Sequence, residues 1–254
     1  MTLFTAAEYA NASVLATEVA QRMLSRLDIV RLQPKVILDA GCTVGQGTAL
    51  LKQYYPNAQV LAMESALPLL HYANEQQAAD WVNAEAEQLP LKDHSVDLIF
   101  ANLLLPWCDD AQKIFYEWRR VLRPEGLLMF SSLGPDTLQE LRGKLFSLTA
   151  PKFVDMHDVG DMLTQAGWMD PVMDIEYITM TYRESEKLIR ELQVVGMIAH
   201  DEVPVQLEKN EANVYPITFE VVYGHAWGPG VAKGFKADDE GVARIPLAHL
   251  RRQR

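Results

Sequence analysis

Cysteine is scarce: Cys42 and Cys108 are the only two in 254 residues. That is too few for a disulfide framework and suits free thiols in a reducing compartment. The six histidines, at positions 71, 94, 157, 200, 225 and 249, are scattered, with no Cys/His cluster at zinc spacing, so no metal is expected. No run of about 18 apolar residues offers a membrane span. Met1 to Glu8 lack the basic start and apolar core of a secretory signal, and the cytoplasm is the expected location. Positive charge is in deficit, 23 Lys and Arg against 34 Asp and Glu, giving a net charge of −11. Such a balance argues against an extended phosphate-binding surface and hence against nucleic acid as a partner. Repeats and low-complexity tracts are absent as well. What remains is a chain with 49% hydrophobic and 22% charged residues, enough for one large α/β domain carrying an inserted cap.

The organising stretch runs from Val36 to Thr48, V-I-L-D-A-G-C-T-V-G-Q-G-T. Apolar residues ending in Asp39 suit a central strand covered on both faces, and Gly41 permits a sharp turn that aims backbone N–H groups at a ligand. Gly45 and Gly47 then allow close approach before a helix begins near Thr48. These glycines do not stand at the G-x-G-x-x-G spacing of the dinucleotide fingerprint. A second apolar strand, Gln59–Glu64, ends in an acid about 20 residues past the turn, where nucleotide-binding α/β units place a carboxylate on the ribose hydroxyls. Glu64 is therefore the leading ligand contact, with capping of the helix near Ala66 as its structural alternative.

Before the cradle, apolar positions between Phe4 and Leu27 predict a helix against the core, with Tyr9 ahead of it as a lid or rim aromatic. After it, Trp81–Ala84 reads as a third strand. The turn Glu85-Ala86 follows; in a nucleoside site it would meet the adenine, through the Glu85 carboxylate and the Ala86 N–H. Ser95–Asn102 is a fourth strand, delivering Asn102, Leu103 and Trp107 to the carboxyl edge of the sheet. A helix capped by Asp109-Asp110 ends at Arg123-Pro124-Glu125-Gly126, and Gly126–Ser132 is a fifth strand. Gly134–Arg142 is predicted as a helix with Pro at its start, and Asp155–Leu163 as another. Val172–Tyr182 and Ile217–Tyr223 fit an antiparallel pair at the sheet edge, with a small cap between them. Gly228–Arg254 has no strong pattern.

The glycine turn resembles motif I of class I S-adenosylmethionine-dependent methyltransferases, D/E-x-G-x-G-x-G, with Thr43 in place of the middle glycine. Finer segments narrow the likeness: Phe4-Thr-Ala-Ala-Glu-Tyr9, Glu87-Gln-Leu-Pro-Leu91, Asn102-Leu-Leu-Leu-Pro-Trp107-Cys108, Arg119-Arg-Val-Leu-Arg-Pro124, Leu133-Gly-Pro-Asp-Thr-Leu-Gln-Glu-Leu-Arg142, Gly224-His-Ala-Trp227 and Ile245-Pro-Leu247. They resemble the malonyl-[acyl-carrier protein] O-methyltransferase family of biotin synthesis. Pro106 departs from it, standing where that family has Gln before Trp-Cys.

The resemblance implies a Rossmann-like fold with seven strands, mostly parallel, and an antiparallel last strand. It implies a single domain: a helical lid over 1–33, a cofactor half over 34–134, a substrate half over 135–225 with the cap at about 183–214, and a tail over 226–254. It also implies S-adenosylmethionine as cofactor, S-adenosylhomocysteine as product, and methylation of the free carboxylate of a malonyl thioester on acyl-carrier protein or coenzyme A. Cofactor contacts would come from Asp39, Gly41, Cys42, Gly45, Glu64, Ser65, Glu85, Ala86, Asn102 and Leu103. A malonyl carboxylate is already ionised at neutral pH, so no general base is required and no catalytic residue is assigned. Tyr9 and Trp107 are candidates to wall the acceptor, and Arg142 to hold its acid. An acidic carrier protein would need local basic charge, from Arg142 and Lys144 or from Arg183, Lys187 and Arg190. Two alternatives stay open: another small acid or coenzyme A ester as acceptor, or a degenerate, non-catalytic fold in which Thr43 impairs cofactor binding.

Overall fold

The computed structural model describes residues 4–77, 79–143, 151–200 and 207–230. A seven-stranded sheet runs in the order β3-β2-β1-β4-β5-β7-β6. Its strands are β1 (Val36–Ala40), β2 (Gln59–Glu64), β3 (Asp80–Asn83), β4 (Val96–Ala101), β5 (Leu122–Leu133), β6 (Met169–Tyr182) and β7 (Tyr215–Trp227). The strands β1 to β5 are parallel, and β7 lies antiparallel between β5 and β6. The helices are α1 (Ala6–Ala12), α2 (Val14–Leu27), α3 (Gln46–Tyr54), α4 (Leu67–Gln76), α5 (Ala111–Val121), α6 (Met156–Gln165) and α7 (Ser185–Val194). This is the architecture that the motif I resemblance implied.

Successive residues of a strand point to opposite faces, and the central strands are apolar on both. Ile37, Leu98 and Leu127 pack on the face covered by α2, α3 and α7, while Leu38, Ile99 and Leu128 pack on the face of α5 and α6. The stripe Ile114, Phe115, Trp118 and Val121 explains α5: all four are fully buried. Asp110 caps this helix by accepting from the Lys113 N–H at 3.0 Å.

Three local expectations differ from what forms. The helix predicted from the apolar stripe that ends at Leu27 forms as α2, but the segment with Tyr9 ahead of it is itself the short helix α1, closed at Ser13, whose hydroxyl donates to the Tyr9 carbonyl at 2.6 Å. Between α5 and β5 the chain passes directly into the strand at Leu122, and Arg123–Gly126 are absorbed as an irregularity in the pairing with β4. The third difference is Gly134–Arg142, which forms only a 3-10 turn at Gln139–Leu141. Its backbone is committed to β7 instead. Gly134 N–H bonds the Glu220 carbonyl, Asp136 N–H bonds the Glu220 carboxylate, and Leu138 N–H bonds the Thr218 carbonyl. The Glu140 carboxylate in turn receives the Thr218 N–H and hydroxyl. Lys144, Ile245 and the C-terminal arginines lie outside the described residues.

Candidate cofactor and acceptor site

The carboxyl ends of β1, β2 and β4 open into a cavity of about 1010 Å³, roofed by α1 and by α7. Its floor is the glycine turn. Gly41 and Cys42 both donate their N–H to the Met63 carbonyl at 2.9 Å, tying the turn to β2. Gly41 is left-handed, and a Cβ there would meet the Leu104 side chain at 2.8 Å, so both conformation and space require glycine. Asp39, at the end of β1, is buried and accepts from the Thr48 hydroxyl at 2.6 Å. Burial, opposed by that hydrogen bond and reinforced by Glu64, pushes its carboxyl up to about 7.

Glu64 closes β2. One of its oxygens accepts the Ala66 N–H at 2.8 Å and the other the Thr43 N–H at 3.1 Å. It therefore both holds Ala66, the residue just ahead of α4, and faces the cavity with lone pairs remaining on each oxygen. Burial raises its pKa against the pull of these backbone donors. Thr43 has φ of 46°, the left-handed conformation for which glycine is suited and a β-branched residue is strained. Thr43→Gly should therefore stabilise the fold by about 1 kcal/mol, read as a higher melting temperature; a lower one would show that the hydroxyl makes up the strain.

Of the residues singled out from sequence, Asp39, Gly41, Cys42, Glu64, Ser65, Glu85, Ala86, Asn102, Leu103, Tyr9 and Trp107 all line the cavity. Gly45 does not line it. That glycine is the left-handed N-cap of α3, and its carbonyl accepts from the Gln77 amide at 2.6 Å. Arg142 is also absent from the lining: its guanidinium is exposed and bonded to Asp136 and to the Pro135 carbonyl. The reason is the missing helix, since the 3-10 turn carries Arg142 back onto its own loop.

Asn102 is placed at the wall, but its amide serves the lid. It donates to the Ala16 carbonyl at 2.8 Å and accepts from the Ser131 hydroxyl at 2.9 Å, while Ser131 receives the N–H of the left-handed Leu103. Gln46 works in parallel, donating to the Ala10 carbonyl at 3.3 Å and accepting from Thr17 at 3.0 Å. Tyr9 hangs from α1 into the cavity, and burial, then Glu64, raises its hydroxyl to about 12. Cys42 and Cys108 are both free and both on the lining; burial pushes each thiol up, so neither is a ready nucleophile.

The cap side was not legible from sequence. Met180, Tyr182, Glu191, Met197 and Phe219 face the cavity from β6, α7, the segment after α7, and β7. Tyr182 donates its hydroxyl to the Glu191 carboxylate at 2.9 Å. No spacing rule marks these positions, because the antiparallel return of β7 brings them to the site. Among the described residues no cluster of His, Cys, Asp or Glu could hold a metal ion.

Comparison with known proteins agrees with this geometry. A methyltransferase domain family matches residues 38–130. The B. subtilis protein YcgJ superposes with a TM-score of 0.63 at 14% identity, covering 84% of this chain and 98% of that one, a likeness of fold. The malonyl-[acyl-carrier protein] O-methyltransferase of Gallionella capsiferriformans is 40% identical over 87% of this chain and 86% of its own length. That of Methylovorus sp. is 38% identical over 88% and 86%. With such identity along most of both chains, this chain belongs to the malonyl-[acyl-carrier protein] O-methyltransferase family.

Proposed function

We propose that this protein methylates the free carboxylate of a malonyl thioester carried on acyl-carrier protein, with S-adenosylmethionine as donor, in the cytoplasm. The observation that carries the reading is Glu64, a carboxylate fixed through both oxygens by backbone N–H groups at the cavity edge of β2. It is preorganised to accept both hydroxyls of a ribose. Gly41 lies on the lining with it, Glu85 and Ala86 flank the nucleoside end, and Asp39 favours a cationic ligand. When bound, the cofactor supplies an electrophilic methyl group on a sulfonium centre.

The chain's own work is then positioning and exclusion. Trp107, Tyr9, Met180 and Phe219 wall off the acceptor half and exclude water, which strengthens every charge interaction inside. No proton has to move, because a malonyl carboxylate enters already ionised. Docking of an acidic carrier protein would fall to the basic side chains beside the cap, Arg183, Lys187 and Arg190, with Arg190 already paired to Glu8 of the lid. Methyl transfer to malonyl-carrier protein, compared with malonyl-coenzyme A, tests the reading. Reversing Arg183 should lower kcat/KM for the carrier-bound substrate alone. Absence of any S-adenosylmethionine binding by calorimetry would end it.

Asp39 gives a pH signature. Its carboxyl titrates at about 7 in the fold, so it is mostly protonated at pH 6 and mostly charged at pH 8. Affinity for a cationic cofactor should rise several-fold across that interval, and Asp39→Asn should flatten the profile. The stability of the free protein should follow the opposite trend. A carboxyl raised above its unfolded value is costly to ionise, so the stability contributed at low pH is lost as pH rises from about 4 through about 7. A pH-independent dissociation constant in the wild type would contradict the first expectation, and stability that does not fall between about pH 4 and 7 the second.

A further inference from the structure

The cavity is markedly acidic for one that must receive an acid. Asp39 and Glu64 form its floor, Glu85 and Glu87 border the turn after β3, and Glu191 faces it from the cap. Lys113 is the one basic side chain among the described lining residues, and Asp109 and Asp110 line the wall beside it. Arg142, the expected anion holder, is committed to Asp136 on the outside.

Glu191 stands apart from the other acids because it belongs to the acceptor half. It lies on α7 with Tyr182, Leu192 and Met197 around it on the lining, and its side chain is only 17% exposed. Tyr182, itself buried, fixes it through the 2.9 Å hydrogen bond, and Lys187 approaches its other oxygen at 3.8 Å from a largely exposed position. The phenol proton of Tyr182 is thus spent on Glu191 and is not free to receive an acceptor carboxylate. A second carboxylate entering this low-dielectric chamber meets like charge.

We propose that Glu191, pinned by Tyr182, is a charge gate that bars an acceptor carboxylate from the cavity until a cationic cofactor is seated. The gate rests on the methyltransferase reading. It imposes an order of binding, cofactor first. It also discriminates between the two forms of the cofactor, because S-adenosylmethionine carries a sulfonium charge that S-adenosylhomocysteine lacks. With the neutral product in place, only the largely exposed Lys187 offsets Glu191, and the dead-end complex of product and fresh acceptor is suppressed.

The test is calorimetric and uses the full chain. The probe is the malonyl thioester of N-acetylcysteamine, titrated into protein saturated either with sinefungin, whose ammonium group replaces the sulfonium, or with S-adenosylhomocysteine. The wild type should bind the probe at least tenfold more tightly in the sinefungin complex. Glu191→Gln should shrink that ratio to threefold or less by tightening the S-adenosylhomocysteine complex, and Glu191→Asp, which retains the charge, should preserve most of it. Equal affinities in the two wild-type complexes overturn the gate. So does a ratio that survives in a folded Glu191→Gln protein. Failure of both cofactor analogues to bind would instead overturn the methyltransferase reading, and the gate with it.

Discussion

Replacing Glu64 by glutamine should weaken S-adenosylmethionine binding by about two orders of magnitude. Both carboxylate oxygens are engaged by backbone donors, Ala66 N–H and Thr43 N–H, and both retain lone pairs toward the cavity. Hydrogen bonds to a charged acceptor contribute roughly 1.5–3 kcal/mol each, so losing the charge under two ribose hydroxyls costs about 3 kcal/mol, near a hundredfold in affinity. Glutamine also turns one acceptor oxygen into an NH₂ group that opposes either Ala66 N–H or Thr43 N–H, loosening the turn itself. Titration calorimetry reads the effect directly. A change below threefold would mean that the ribose is held elsewhere.

The largest loss of stability is expected at Trp118. It is fully buried on α5, in edge contact with Phe115, and packs in the cluster that includes Phe130, Leu128 and Leu163. Trp118→Ala opens a cavity in close-packed surroundings and should cost about 3–5 kcal/mol, lowering the melting temperature by roughly 10 °C for a chain of this size. Trp118→Phe should cost much less. The buried indole N–H has no hydrogen-bond partner, so removing it relieves a desolvation penalty while most of the ring contact is kept. Cofactor affinity should be unchanged in both variants, because Trp118 is not on the cavity lining. If alanine were tolerated within about 1 kcal/mol, α5 would not be the clamp on this face of the sheet.

The strand-end floor of the cavity was readable in the sequence because its determinants are local. Asp39, Gly41 and Glu64 sit at strand ends within one β-α-β unit, where apolar runs, a glycine turn and a terminal acid fix position without reference to the rest of the chain. Seven strands, mostly parallel, followed from the same pattern together with the family likeness. What escaped was set by long-range partners. Pro135 and the apolar spacing after it signal a helix start, but Glu220 and Thr218, some eighty residues on, capture the backbone of Gly134, Asp136 and Leu138. Arg142 was misplaced for that reason. Ser13 ended α1 through a hydroxyl bond that periodicity does not see. Tyr182 and Glu191 are nine residues apart and meet only because α7 folds back over the end of β6.

The seven-residue helix α1 packs on α4 at one end of the cavity and on α7 at the other. Two turns of helix are marginal alone in water, so this bridge is held by its anchors: Gln46 beneath it, the Thr5–Glu8 capping box, and Glu8 clasped by Arg190, whose guanidinium also covers the Phe4 ring. Ligand exchange must work against those anchors, one of which is a solvent-exposed ion pair weakened by salt. Spent nucleoside should then depart faster as ionic strength climbs, making the tempo of successive turnovers a property of how briefly this small bridge lets go.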